Sequence, residues 1–427
     1  MVIGNISKKI SYLGIISALL GYTVSYYQVY LFHLVVLCFC LYVVVFSYKI
    51  KIFSFEVVKP ILLFLAYSML SLIWTVNIDT GLRNIFYLVC GFFTVFFIAN
   101  YSNSFEDIIK VTKLIIYLSL LNFIIGFFET LGFFRLPMSP YSPYASFFGY
   151  AQTDMNDFYS YTVDTILKRP TGFNGNPNNF GFVFAIILPF IFLYSKYLKF
   201  IGFFLLVWFN IYIQSRGLFL ASFIFFVVLF LFDYKKNIKY LPLGILLLAL
   251  ILPFLTLNLT EYRFSSTLEN IVSGLEMIKS GGGDTNSSTD IRSFIYSLGF
   301  SNLLKEPFLG LGIGGIQSIL EAIDFEIQSF HFYFLEILID YGVVFYIVFL
   351  VFYIKLIVKL VKIYRISNNL NWKRISKSCA ISLIIMPFAS IAPSSIVYIL
   401  TAWIILGLSL TLVKLYKYEN NFIIQRK

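Results

Sequence analysis

The stretch LKFIGFFLLVWFNIYIQSRGLFLASFIFFVVLFLFD, residues 198–233, decides the fold class. Between Lys199 and Asp233 it holds a single charge, Arg216, inside the tetrapeptide Gln214-Ser215-Arg216-Gly217 that separates two apolar runs, 198–213 and 217–233. Each run approaches the ~20 residues a helix needs to cross hydrocarbon. The rest of the chain repeats the pattern. Of its 427 residues 59% are hydrophobic and 12% charged, and its mean hydropathy is +0.85. A soluble domain carries about a quarter charged residues, so the soluble and disordered classes are excluded.

Scanning outward gives about twelve spans, near 10–27, 29–48, 57–75, 82–100, 111–131, 177–195, 198–213, 217–233, 239–257, 331–354, 377–391 and 396–415. The expectation is an all-α, polytopic protein in which residues 1–427 form one transmembrane domain. The first run follows Lys8 and Lys9 but has no small-residue cleavage site, so it reads as a retained helix rather than a signal peptide. Cys38, Cys40, Cys90 and Cys379 all lie in apolar runs and read as buried structural thiols.

Charge sets the expected orientation. With the N-terminus in the cytoplasm, 23 of the 32 basic residues fall on the cytoplasmic side, as the positive-inside rule requires, and both termini are cytoplasmic. The outer segments keep nine basic residues against thirteen carboxylates. The net charge of +11 is therefore a topology signal, not a nucleic-acid surface. Two outer loops stand out by length, 132–176 and 258–330, and loops of that length are functional or disordered. The second has its own helical pattern over 264–278, a Gly281-Gly282-Gly283 stretch, and a short helix from about Asp290 to Lys305 ending before Pro307.

Polar residues concentrate where these loops meet spans. Arg169-Pro-Thr-Gly-Phe-Asn-Gly-Asn-Pro-Asn-Asn leads into the span at 177, where Asn176 fits an N-cap and Pro177 the first helical position. The free amides of that helix start suit phosphate oxygens, and a plain capped turn fits the spacing equally well. Arg216 either reaches lipid headgroups or turns inward over a cavity. Arg292, on the short loop helix, either serves a site or pairs with Asp290 or Glu306. His33 reads as a packed residue. His331 is the better candidate, at the join of the second long loop and a span, downstream of Gly310-Leu-Gly312-Ile-Gly314-Gly315, whose glycines permit close backbone approach. Glu336 and Asp340 follow four residues apart, on one helix face, either as site carboxylates or paired with a neighbouring Arg. The outer loops contain no Asp-x-Asp cluster, zinc-type Cys/His spacing or nucleotide-binding Gly-rich Lys-Ser/Thr loop, so no metal and no cofactor is expected.

Taken in order, Arg169…Gly172…Asn176-Pro177-Asn178, then Ser215-Arg216-Gly217, then Arg292, Glu306-Pro307…Gly310…Gly312…Gly314, and His331…Leu335-Glu336…Gly342 resemble the O-antigen polymerase/ligase family of bacterial membrane proteins. Phe332 departs from the Asn that the family often places after this His. The resemblance implies a metal-independent, inverting glycosyltransferase of the plasma membrane whose donor is an undecaprenyl-diphosphate-linked glycan at the outer leaflet. It implies His331, Arg292 and Arg216 as catalytic residues, and Arg169, Asn176, Asn178, Glu336, Gly312 and Gly314 as substrate contacts. The expected partners are the lipid-linked oligosaccharide, a glycan acceptor, the bilayer and a chain-length regulator. A polymerase is favoured over a ligase, and a flippase or other transporter is the competing class, disfavoured because polar residues gather in two outer loops rather than deep in several spans.

Overall fold

The computed structural model describes residues 2–27, 29–46, 51–150, 163, 166–234, 288–323, 325 and 329–425. The expected span at 239–257, the helical pattern at 264–278 and the Gly281-Gly282-Gly283 stretch lie outside the described residues. The chain divides into two compact units, residues 1–224 with 306–427, and residues 225–305.

In the first unit the described helices are α1 (Val2–Leu20), α2 (Leu31–Phe46), α3 (Ile52–Leu70), α4 (Ile78–Tyr101), α5 (Phe105–Thr130), α6 (Pro177–Tyr194), α7 (Lys196–Ile213) and α8 (Arg216–Phe232), whose last turns belong to the second unit. The second unit holds α9 (Ser288–Lys305). The first unit resumes with α10 (Gly315–Ala322), α11 (Tyr333–Ile366), α12 (Leu370–Ala389) and α13 (Leu400–Gln425). Seven of the described helices are long and apolar enough to cross a membrane: α3 with its following turn, α4, α5, α6, α7, α11 and the Leu400–Glu419 part of α13. α2 and α8 are apolar but shorter. The chain is a multi-pass helical membrane protein.

Local chemistry explains where these helices begin. Asn77, Ser104, Asn176, Ser195 and Asn369 each accept backbone N–H bonds of the first turn that follows, which satisfies amides that have no partner inside the helix. α6 is the most enclosed of the seven, with 83% of its residues buried. It packs between α5, α7 and α12. Ser378 and Ser382 of α12 donate to the carbonyls of Pro189 and Ile186 on it, and Phe123, Phe180, Phe184 and Phe209 lock the α5–α6–α7 seam edge to face.

Two expectations change. The first helix is Val2–Leu20 rather than 10–27. Ser7 and Ser11 both accept from Asn100 of α4 at 2.9 Å, and Lys8 pairs with Asp107 at 2.8 Å, so polar side chains near the N-terminus are drawn into the helix packing. Gly21 (φ +52°) then ends the helix with its Cα close under the Phe173 carbonyl, and a small antiparallel hairpin, β1 (Ser25–Tyr26) with β2 (Val29–Tyr30), follows. Among the thiols, Cys90 and Cys379 are buried as expected, Cys40 is half-buried and Cys38 is exposed, and all four are free.

Candidate functional site

The motif residues of the first unit converge on a segment that hydropathy reads as a mere turn, Ser390–Ile399 between α12 and α13. Gly217 lies against it so closely that a Cβ there would sit 2.8 Å from Ala392 Cβ. The His331 N–H donates to the Ser394 carbonyl at 3.2 Å, and Ser395 hydrogen-bonds the Glu336 carboxylate. Tyr398 bonds Asn179 of α6 and Ser394. The Arg169–Asn179 stretch, the Ser215-Arg216-Gly217 turn and the His331–Glu336 stretch thus share one scaffold. Sequence reading missed this segment. Its only signal was Ala392-Pro393-Ser394-Ser395, a small and polar patch inside an apolar terminus.

Two loops feed the scaffold. The first, Arg169–Asn176, is fastened to α5 by a carboxylate that sequence reading left inside a span. Glu129, 1% exposed, accepts from the N–H groups of Thr171 at 2.6 Å and Gly172 at 2.8 Å and from the Thr171 hydroxyl at 3.1 Å. Asn122 Oδ1 accepts from Phe173 N–H at 2.7 Å. Any side chain at Gly172 (φ +45°) would collide with that same Oδ1, which is why the loop needs glycine there. Arg135 donates to the carbonyls of Leu167 and Arg169 and lies 5.2 Å from the Tyr141 ring. Burial pulls its guanidinium below the ordinary pKa while the nearby Glu129 charge pulls it back up. Asn176 caps α6 by accepting from Asn178 N–H at 2.8 Å, with Pro177 at the first helical position, as the sequence implied.

The second loop, Pro307–Gly314, docks on a break in α11. Gly342 takes φ +75° and ψ 172°, so what reads as one continuous span is two helical segments. The freed Val343 N–H donates to Pro307 O, and Leu311 and Gly312 donate to the carbonyls of Ile339 and Asp340 at 3.0 and 2.8 Å. The Asp340 side chain accepts from Gly314 N–H and Ile316 N–H, both at 3.0 Å, so it caps α10. This is what the carboxylate does in place of an Arg pair. Gly312 and Gly314 approach Thr75 and Asn84 closely, and their amides are engaged within the chain.

Glu336, one turn earlier, shares with Asp340, Tyr333 and Asn84 the lining of a cavity of about 10 Å³, the size of one water. Its Oε2 is shut from solvent and has no hydrogen-bond partner among the described residues. His331 has φ +56°, a left-handed conformation rare for a residue with a side chain. Backbone of this kind costs about 1–3 kcal/mol and collects at functional sites. Glu321, a possible competitor as base, is occupied by Arg83 at 2.6 Å and the Thr80 hydroxyl at 2.7 Å. Asp324 and Glu326, the other carboxylates of the loop before His331 that could compete as base, lie outside the described residues. Arg216 is half-buried at the first position of α8, after Gln214 in a left-handed turn (φ +53°) and with Ser215 Oγ accepting from Leu218 N–H. Arg292 is on α9 in the second unit, one turn before Tyr296, in the short helix the sequence placed at 290–305.

Residues 201–350 match the family model described as O-antigen ligase. That segment includes Ser215-Arg216-Gly217, Arg292, the glycine loop, His331 and Glu336, and in it the chain is similar to the O-antigen polymerase/ligase family. No curated protein matches the chain.

Proposed function

We propose that this protein is a glycosyltransferase of the bacterial plasma membrane that polymerises undecaprenyl-diphosphate-linked repeat units into surface polysaccharide at the outer leaflet. The arrangement has about twelve spans, both termini in the cytoplasm, and residues 132–176 and 258–330 outside. In this reading an acceptor sugar hydroxyl attacks the anomeric carbon of the lipid-linked glycan with inversion. The hydroxyl proton passes to His331, and the anomeric C–O bond breaks with its electron pair leaving on the diphosphate. A diphosphate is already a good leaving group and needs charge neutralisation more than protonation, which Arg216 and Arg292 supply. Arg169, with Asn176, Asn178 and the start of α6, helps hold the anion. Glu336 accepts a substrate hydroxyl, with Gly314 in the lining of its cavity and Gly312 a further substrate contact in the same loop.

The observation that carries the reading is the strained His331, bonded to the same segment that receives the Arg216 turn and Glu336. Deleting the gene and analysing lipid-linked and surface glycans tests it. Single repeats left on the carrier or acceptor are the expected result. Long lipid-linked chains that fail to reach an acceptor would make the protein a ligase, and unchanged glycans would remove it from this chemistry.

A further inference from the structure

A second cleft opens beside the site and belongs to none of the roles above. It encloses about 50 Å³ on the measure that gives about 10 Å³ for the Glu336 cavity, and lies where the ends of α1, α6 and α13 and the middle of α4 meet the β1–β2 hairpin and the start of α2. Tyr22 and Tyr30 form one wall, their rings 4.7 Å apart at 64°, and Tyr87 and Tyr398 another, 5.7 Å apart at 60°. Asn174 and Asn179, which flank the Asn176-Pro177 cap, also line it. So does His33, whose Nδ1 accepts from Tyr30 N–H at 3.2 Å and which therefore keeps its proton on Nε2 as a donor when neutral. Among the described lining residues there is no Asp, Glu, Lys or Arg.

Asn174 is the informative member. Its Nδ2 is buried and has no hydrogen-bond partner among the described residues, a costly state for an amide unless a ligand completes it. Flat aromatic faces beside amide and phenol groups match the two faces of a sugar ring, which offers apolar C–H patches and a rim of hydroxyls. The phenols of Tyr22 and Tyr30 are hydrogen-bonded to each other and that of Tyr398 to Asn179 and Ser394, which fixes the rings as uncharged walls. The described lining gives a carboxylated sugar or a phosphate no charged partner, and Arg83, whose charge reaches the Tyr87 phenol, is already paired with Glu321. A polyprenyl tail would bury this polar lining against hydrocarbon.

We propose that this tyrosine-lined cleft is a binding subsite for an uncharged sugar ring of the glycan substrate. Its Tyr398 bonds Ser394, the residue whose carbonyl receives the His331 N–H, so a ring held there is delivered to the transfer site. The assignment rests on the glycan-transfer reading for the substrate's identity but not for the chemistry of the cleft.

Saturation-transfer NMR on the full-length purified protein tests it, with methyl α-glucopyranoside, methyl N-acetyl-glucosaminide and methyl glucuronide as probes and farnesyl phosphate as competitor. A neutral glycoside should receive saturation and the glucuronide should not. Asn174→Leu and the milder Tyr398→Phe should each weaken the signal about fivefold, the loss of one buried hydrogen bond. Size-exclusion profiles report whether each variant has folded, and Tyr398→Phe carries the test should Asn174→Leu not fold. No signal from either neutral glycoside, a signal unchanged in the folded variants, or displacement by farnesyl phosphate overturns the subsite. Glycoside binding with surface glycans unaltered by gene deletion would instead leave the subsite standing and sink the transferase reading.

Discussion

The two loops that feed the scaffold are fastened by the same device and used differently. Both place a glycine-bearing loop over a buried carboxylate on a neighbouring helix, and both carboxylates accept backbone amides rather than pairing with a cation. Glu129 holds the Arg169–Asn176 loop from the end of an unbroken helix. Asp340 holds the Pro307–Gly314 loop from a helix that breaks two residues later at Gly342. The first arrangement gives a fixed edge. The second puts Glu336 and the helix break on one element, with His331 two residues before its start, and so couples the fold of that loop to the reacting residues.

The largest expected effects lie on the second side. His331→Ala should keep donor binding and lose transfer by about 100- to 10,000-fold, the usual cost of removing a general base. Arg169→Ala, on the first side, should act mainly through KM. Equal losses in kcat from the two variants would erase the distinction between a reacting side and a holding side. Transfer by His331→Ala within a few fold of wild type would send the search for the base to Glu336, or to Asp324 and Glu326.

Next come the arginines. Arg216→Lys and Arg292→Lys keep the charge but lose the planar two-pronged donor, so each should lower kcat by about 100-fold, as for a lost oxyanion donor, with normal amounts of inserted protein. Near-normal polymer from either would assign that Arg to lipid headgroups or a surface pair.

How much of this was legible beforehand follows from range. Asn176 and Pro177 act within a single turn of chain, and their cap was readable from spacing alone. The helix ending at Lys305 was readable for the same reason, since Pro307 cannot continue it. Glu129 was passed over because hydropathy averages one carboxylate into a long apolar run, and only the loop 42 residues later explains it. The break at Gly342 is equally non-local. Val343 N–H is satisfied by Pro307, and the Phe308 carbonyl fills the space a Cβ would take. Ser390–Ile399 gave no strong signal because its work is done mainly through backbone carbonyls and small side chains, which composition does not register.

Gly342 and Gly172 sharpen the comparison at the level of stability. Both have positive φ and a neighbouring oxygen where a Cβ would stand, Phe308 O for Gly342 and Asn122 Oδ1 for Gly172. A backbone carbonyl held in a docked loop yields less readily than an amide side chain that can rotate. Gly342→Ala should therefore cost about 2–3 kcal/mol and Gly172→Ala about 1–2 kcal/mol, read from thermal unfolding in detergent. The reverse order would mean that the first loop is the more rigidly docked of the two.

Neutralising the two carboxylates tests the comparison most directly, and one of the two variants, Glu129→Gln, should show the smallest effect of all. Glu129 takes both loop amides on one oxygen, Oε2, and only the Thr171 hydroxyl reaches the other at 3.1 Å. In Glu129→Gln the amide oxygen can keep both N–H bonds, and the Thr171 hydroxyl can rotate to accept from the new NH2 group. Asp340 divides its amides, Gly314 on Oδ2 and Ile316 on Oδ1. In Asp340→Asn one of those N–H groups must face an NH2 donor, leaving a buried donor unsatisfied at the start of α10. The expected costs are about 1 kcal/mol for Glu129→Gln and about 2–3 kcal/mol for Asp340→Asn, measured by thermal unfolding of the purified variants. Glu129→Gln should also leave kcat within a few fold of wild type, since it disturbs only the holding side. Were Glu129→Gln the more damaging variant, the charge of Glu129, and not its geometry, would be what holds the first loop, with Arg135 as the partner that its loss exposes.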